Sequence, residues 1–341
     1  MAWDNLAMRA MLLEGPAPIT ASPLRLATIA LPEPGPGEVR IAVRACAVCR
    51  TDLHLVEGDL PLSRRPLVLG HQGVGVVEAL GDGATRFRRG DRVGLAWLRS
   101  TCGACRFCAA GRENLCEAAT YTGWTHDGGY AEACCVPEAF AYALPAVWTD
   151  VEAAPLLCAG IIGYRALRRS EVARGGTLAL YGFGSSAHVT LQIARHWSCE
   201  VFVSTRDAGH RALARELGAA WVGGPGERLP APASAAIIFA PAGELVPVAL
   251  RDLDKGGTVA LAGIHMSEIP ALAYGDLYHE RAIRSVTAST RADGAELLAE
   301  AARIPIRPTI ARFPLEDANY ALALLKAGRL TGTGVLVPSG V

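Results

Sequence analysis

Hydrophobic positions recur along the chain in two rhythms. Up to about residue 150 they fall in short β-branched runs set among glycines and prolines: "EVRIAVRACAV" at 38–48, "GVGVVEAL" at 73–80 and "GDRVGLAW" at 90–97. Runs of that length, broken by turn residues, predict a compact, irregular and mostly antiparallel β domain. From "GGTLALYGFGSS" onward the rhythm changes. "TLALY", "EVFVS", "AAIIFA" and "GTVALAG" are apolar strands, and helical stretches such as "AHVTLQIARHW" and "GHRALARELG" separate them. Strand and helix alternating at that interval predict βαβ units and a parallel sheet. After about residue 294, "PLEDANYALALLKAG" reads as an amphipathic helix and "GVLVP" as a last strand that returns to the first domain. The expected chain is α/β. One domain is formed by residues 1–152 with 294–341, and a parallel-sheet domain by 153–293.

Composition narrows the function classes. A chain of 341 residues is long for one core, which favours two domains. It is 51% hydrophobic and 19% charged, with 33 basic and 33 acidic residues, so it is built to pack and carries no net charge. That excludes a basic nucleic-acid surface and argues against a membrane-surface binder. No apolar run reaches the length of a bilayer span. The first residues, "MAWDNLAMRAML", lack the basic start, apolar block and cleavage site of a leader, so a cytoplasmic protein is expected.

A reducing compartment gives the ten cysteines a different meaning from a disulfide framework. Four of them, Cys102, Cys105, Cys108 and Cys116, lie in "CGACRFCAAGRENLC". This spacing offers four thiolates from one loop, enough for a closed tetrahedral zinc that pins the loop and cannot activate water. An iron–sulfur cluster or an empty lobe is the alternative.

"LALYGFGSSAHV" sets Gly182 and Gly184 between a strand and a helix, with Ala187 at the third position of a GxGxxG turn. Such a turn lets a pyrophosphate approach the backbone and meet the N–H groups of the helix. A glycine turn without a ligand is the bland alternative. The end of the next strand decides the nucleotide, because an acid there would hold the ribose 2′-OH of NAD. Here the end carries Ser204, Thr205 and Arg206, which suit a 2′-phosphate and favour NADP(H). Asp207 is one step further on, where it could turn inward, and Arg206 could be an ordinary solvated side chain.

Three further residues stand out: Cys49 in "CRTDLH", His71 in "LVLGHQGVGVV" and Cys158 in "APLLCAGIIGYRAL". Spacing alone cannot bring them together, and singly each is as readily a core residue. Taken with "DGGYAE", the four-cysteine stretch, "GFGSSA" and the terminal helix and strand, they fall in one order over almost the whole chain. In this the chain resembles the zinc-containing medium-chain alcohol dehydrogenases. The resemblance implies a GroES-like β domain interrupted by a doubly wound Rossmann domain, with the active site in the cleft between them. It implies Cys49, His71 and Cys158 as ligands of a catalytic zinc, and so two zinc ions per chain. By the same resemblance Thr51 contacts the alcohol proton, and His54 passes it to solvent through the cofactor ribose. Asp52 orients His71, and Arg50 pairs with the cofactor pyrophosphate.

Two positions depart from the family pattern. Gln72 stands where the family usually has glutamate, and Thr333 where many relatives carry a basic residue near the phosphates. The expected activity is hydride transfer between a primary or aromatic alcohol, or its aldehyde, and a nicotinamide cofactor, by a homodimer or homotetramer. Trp97, Trp124 and Met266 are candidates for an apolar pocket wall. The competing readings are an NAD-dependent enzyme, a zinc-free reductase of the quinone reductase kind, and a non-catalytic nucleotide-binding protein.

Overall fold

The structure is a computed structural model that describes residues 7–338. The first six residues, part of the stretch read for a leader, lie outside the described residues. The chain divides into two compact units. One comprises Met1–Cys158, Ser289–Ala299 and Ile310–Val341, the other Ala159–Ala288 and Glu300–Thr309. The expected boundaries at 152/153 and 293/294 therefore shift. The 3-10 turn Ala154–Leu157 buries all four of its residues in the first unit, and the change of unit follows Cys158.

The first unit is built on a seven-stranded sheet. Glu38–Ala47 pairs antiparallel with Gly73–Leu80 and Ala133–Pro137, and Arg92–Leu95 and Tyr142–Ala143 extend the sheet on one side. On the other side the last strand, Thr333–Val337, lies antiparallel to Glu38–Ala47, pairing Val335 with Ala47 and Leu336 with Cys46. Beyond it runs Ile310–Pro314, in parallel. A three-stranded sheet of Leu24–Ala30, Ala7–Leu13 and Leu67–Val68 completes the unit. Alternate residues of Glu38–Ala47, among them Val39, Ile41 and Val43, are buried in a core shared with Leu55, Leu69 and Tyr130. That is the period-2 pattern of a strand with one packed face.

The second unit is a six-stranded, wholly parallel sheet in the order Trp221–Gly223, Glu200–Ser204, Thr177–Tyr181, Ala233–Ile238, Leu253–Leu261, Ala282–Ser285. The central strands are mostly apolar, with Leu178, Leu180, Val203, Ile237 and Ile238 fully buried, as a sheet covered on both faces requires. Strand order reverses beside Thr177–Tyr181. Ligands of such sheets bind outside the carboxyl ends of the strands at that reversal.

Candidate active site and metal centres

The helix Arg50–Glu57 organises the first site. Cys49 is its N-cap, in an extended conformation. The Cys49 backbone N–H donates to Asp52 Oδ2 at 2.8 Å, closing a capping box that fixes the first turn. The same fully buried carboxylate accepts the Tyr130 hydroxyl at 2.8 Å, and its Oδ1 lies 3.1 Å from His71 Nδ1. His71 follows Gly70, whose φ is +94°. A Cβ at Gly70 would stand 2.3 Å from Cδ1 of Tyr130, so only glycine lets that ring pass under the turn and reach Asp52. Cys158 ends the 3-10 turn Ala154–Leu157.

These elements bring the sulfurs of Cys49 and Cys158 and a ring nitrogen of His71 within 4.8 Å of one another. His71 Nε2 is buried and has no hydrogen-bond partner among the described residues. Burial by itself lowers the pKa of His71, but the Asp52 carboxylate and the Cys49 sulfur outweigh it and raise it to about 10. The hydrogen bond with Cys158 is the largest cause that lowers the Cys49 thiol well below its usual range, and the same bond raises Cys158. Such a pocket draws a positive charge to the imidazole and an anion to Cys49. A buried, unpartnered imidazole nitrogen beside two thiols is the donor set that a catalytic zinc takes, with one position left over for an oxygen.

Thr51 Oγ1 lies 3.7 Å from Cys49 Sγ, and both Thr51 and His54 are buried. His54 Nδ1 sits 2.7 Å from Asp59 Oδ2, so the imidazole meets solvent behind a carboxylate rather than directly. Arg50 donates to the carbonyl of Leu325 at 3.4 Å, at the end of the helix Ala318–Lys326, within the first unit. Gln72 is buried too, and its amide donates to the carbonyls of Ala47 and Val48 at 3.4 and 3.3 Å. An uncharged donor suits that place, which accounts for glutamine.

Against His71 stands an aromatic stack. Trp97 meets the imidazole edge-on at 4.8 Å between centroids, and stacks on Tyr121 at 5.0 Å and Trp124 at 5.7 Å. Met266 is not part of it; that side chain packs on the core of the second unit.

The four-cysteine loop closes on itself. Cys102 Sγ lies 3.5 Å from Cys116 Sγ and 4.0 Å from Cys108 Sγ, and Cys105 Sγ lies 3.6 Å from Cys108 Sγ. Tetrahedral zinc with bonds of about 2.3 Å separates its sulfurs by about 3.8 Å, whereas a disulfide would need about 2 Å. Backbone N–H groups of Ala104 and Cys105, first among the causes, bring Cys102 down to about 6, toward the thiolate a metal requires. The lobe is fastened by Glu113, which accepts from Arg291 through the backbone N–H at 2.7 Å and the guanidinium at 2.7 and 3.1 Å.

In the second unit the glycine turn lies between the strand Thr177–Tyr181 and the helix Ser185–His196. Gly182 has φ +85° and donates its N–H to the carbonyl of Ser204, so the turn and the end of the second strand are neighbours. A Cβ on Gly184, the N-cap, would meet nothing within 4 Å among the described residues. Packing leaves that space free for a phosphate to approach the backbone. Ala187 is fully buried in the first turn, where a small residue lets helix and strand pack closely. At the strand end Thr205 is buried, Ser204 Oγ donates to the carbonyl of Gly224 at 3.5 Å, and Arg206 is exposed. Asp207 does not turn inward. It caps the helix Ala208–Glu216, accepting from the His210 N–H at 2.8 Å.

Residues 35–146 match the alcohol dehydrogenase GroES-like domain. A protein described as a probable alcohol dehydrogenase of Mycobacterium tuberculosis is 51% identical over 97% of both chains. An alcohol dehydrogenase of Geobacillus stearothermophilus is 33% identical over 92% of this chain and 95% of its own. The chain belongs to the medium-chain alcohol dehydrogenase family. A solved structure of a cobalt- and zinc-bound thermostable alcohol dehydrogenase from Pyrobaculum aerophilum superposes with a TM-score of 0.89 at 29% identity, covering 98% of this chain and 100% of that one.

Within this alcohol dehydrogenase, two polar residues near the sites do not stand out in the sequence. Arg211 donates to the carbonyls of Thr205 and Arg206 at 3.1 and 2.8 Å, setting a second guanidinium at the end of the second strand. Its place in the first turns of the helix that follows Arg206 is the one signal of that role. Asp59, the partner of His54, reads in sequence as a solvated acid after a glycine.

Proposed function

We propose that this alcohol dehydrogenase is zinc-dependent and prefers NADP(H), interconverting a primary or aromatic alcohol and its aldehyde. The observation that carries this reading is the meeting of Cys49, His71 and Cys158 beside a helix that also bears Thr51 and His54. Those three residues would hold a catalytic zinc, and Cys102, Cys105, Cys108 and Cys116 a structural one. When bound, the first zinc supplies a Lewis acid for the substrate oxygen, and the nicotinamide supplies the hydride acceptor. The chain's own residues do the rest. Asp52 holds His71 by its second nitrogen. Thr51 takes the hydrogen bond from the substrate hydroxyl and hands the proton toward His54, which gives it to water. Trp97, with Tyr121 and Trp124 behind it, offers an apolar wall suited to an aromatic or medium-chain substrate.

The nucleotide preference rests on charge at the end of the second strand. Asp207 is committed to its helix cap, while Arg206 and Arg211 supply two guanidiniums beside Ser204 and Thr205. A 2′-phosphate finds donors there, and the nearby Glu227 carboxylate is engaged by the Gly224 N–H at 2.9 Å. Cysteines free of disulfides at both candidate metal centres suit a cytoplasmic protein. Tyr274 and Tyr278, 74% and 62% exposed and 5.7 Å apart, give the second unit an apolar surface consistent with assembly as a homodimer or homotetramer.

Metal analysis joined to kinetics tests this reading. Two zinc ions per chain are expected, with turnover of benzyl alcohol or hexanol faster with NADP+ than with NAD+. Cys49→Ser should lose one zinc and most activity while the four-cysteine lobe keeps its own. A single zinc with no turnover would instead identify a nucleotide-binding protein, and a metal-free active chain a reductase of the quinone reductase kind. Full activity with both zinc ions in Cys49→Ser would sink the assignment.

A further inference from the structure

The strand Trp221–Gly223 runs straight into "GPGE" at 224–227, with proline and glycine at the two central places of a tight turn. Gly226 takes a φ of +83°, and the Glu227 N–H returns to the carbonyl of Gly224 at 3.3 Å, the pattern of a type II turn. The Glu227 side chain folds back as well, its Oε1 accepting the Gly224 N–H at 2.9 Å. Three contacts set this turn against the end of the second strand. The Thr205 N–H donates to the carbonyl of Gly223 at 3.0 Å. Ser204 Oγ donates to the carbonyl of Gly224 at 3.5 Å. The point beside Gly224 where a Cβ would stand lies 3.2 Å from Glu227 Oε1 and 3.7 Å from Arg211 Nη1. That same nitrogen binds the carbonyls of Thr205 and Arg206. Folding thus brings an exposed carboxylate, from the turn after the next strand, to a strand end whose own sequence supplies none.

We propose that Glu227 is a specificity-determining residue: its carboxylate opposes the 2′-phosphate of NADPH and narrows the margin over NADH. The inference rests on the reading that the nucleotide ribose lies at Ser204, Thr205 and Arg206. It does not require NADPH to be the preferred form. The hydrogen bond from Gly224 occupies one carboxylate oxygen and leaves the negative charge in place. A 2′-phosphate with nearly two negative charges meets two guanidiniums and one carboxylate there. Its net attraction is therefore smaller than the arginines alone would provide. A ribose 2′-hydroxyl carries no charge and can donate to a carboxylate, so NADH escapes the penalty. Because Glu227 is exposed, salt screens the effect and keeps it modest.

Glu227→Gln keeps the size of the side chain and an oxygen for the Gly224 N–H, and removes only the charge. Fluorescence titration of the whole chain at low salt should give a Kd for NADPH about threefold to tenfold below wild type, with NADH within about twofold. Adenosine 2′,5′-bisphosphate should gain by the same factor and AMP should not, which would locate the effect at the 2′-phosphate. In about 0.5 M salt most of the gain should vanish. Glu227→Ala, which loses the cap along with the charge, should also discriminate more strongly for NADPH than wild type does. An unchanged Kd for NADPH in Glu227→Gln, or equal shifts for NADPH and NADH, would overturn the proposal and leave Glu227 a turn cap. A wild type that prefers NADH, yet gains NADPH affinity in Glu227→Gln, would keep this proposal and sink the NADP(H) preference. Failure to bind either nucleotide would sink both.

Discussion

Gln72 shows how one atom type fits a buried place. Its amide donates to the backbone carbonyls of Ala47 and Val48, the two residues just before Cys49. Gln72→Glu would set a carboxylate against the same two oxygens, and an unsatisfied buried polar group costs about 1–3 kcal/mol. We therefore expect a lower urea midpoint at pH 7.5. The deficit should shrink on acidification, because a protonated carboxyl can donate where the amide did. Charge acts at the surface in the same local way. Arg206→Glu should raise the Kd for NADPH at least tenfold and leave that for NADH within a few-fold, since it swaps attraction for repulsion at one phosphate. Arg211→Ala should give a smaller loss of the same kind, both read by fluorescence titration. Gln72 and Arg206 can be singled out from sequence because motifs surround them. Arg211 and Asp59 cannot, because their partners are set by a helix turn and a glycine turn that only the folded chain reveals.

The helix Ser185–His196 illustrates how an element couples its stability to pH. His188 is fully buried in it, with Nδ1 3.3 Å from the carbonyl of Gly184, and Nε2 accepts the Thr309 N–H at 3.1 Å. Burial, the largest cause, lowers its pKa to about 4 from the usual 6.5. Between those values the unfolded chain takes a proton that the folded one refuses, so this contribution is complete above pH 6.5 and is lost as pH falls toward 4. The effect is on the order of 3 kcal/mol. His188→Gln should flatten the fall in urea midpoint between pH 6.5 and 4.5; an equal slope in both proteins would refute it. Elements themselves are legible where patterns are long. The runs at 38–48, 73–80 and 177–181 and the terminal helix stand where their periodicity places them. Trp221–Gly223, Ala282–Ser285 and Ile310–Pro314 are not, because three to five residues of mixed burial carry too little period to separate strand from loop. The lobe's cysteine spacing is legible because it fits within 15 residues, from Cys102 to Cys116. The meeting of Cys49, His71 and Cys158 is not, since no local rule relates residues so far apart.

For the molecule as a whole, the cysteine lobe reaches further than its own loop. Arg291 donates its backbone N–H to Glu113 inside the lobe, so loosening the lobe frees a segment far along the chain. Removing metal with a chelator should speed amide exchange at 102–116 and at Arg291 together, measured by mass spectrometry; exchange confined to the lobe would contradict this. Among the described residues no helix is long and apolar enough to cross a membrane. The strand Thr333–Val337 carries a consequence for synthesis. It covers the edge of Glu38–Ala47, two residues before Cys49, yet it leaves the ribosome only after the whole of the second unit. All six strands of the second unit have emerged by then, so that unit can close first. A chain released before this strand would own a finished glycine turn and, in its first unit, a bare sheet edge next to Cys49. A chain that lacks Thr333–Val337 is therefore expected to keep its nucleotide turn while losing the strand that steadies the approach to Cys49.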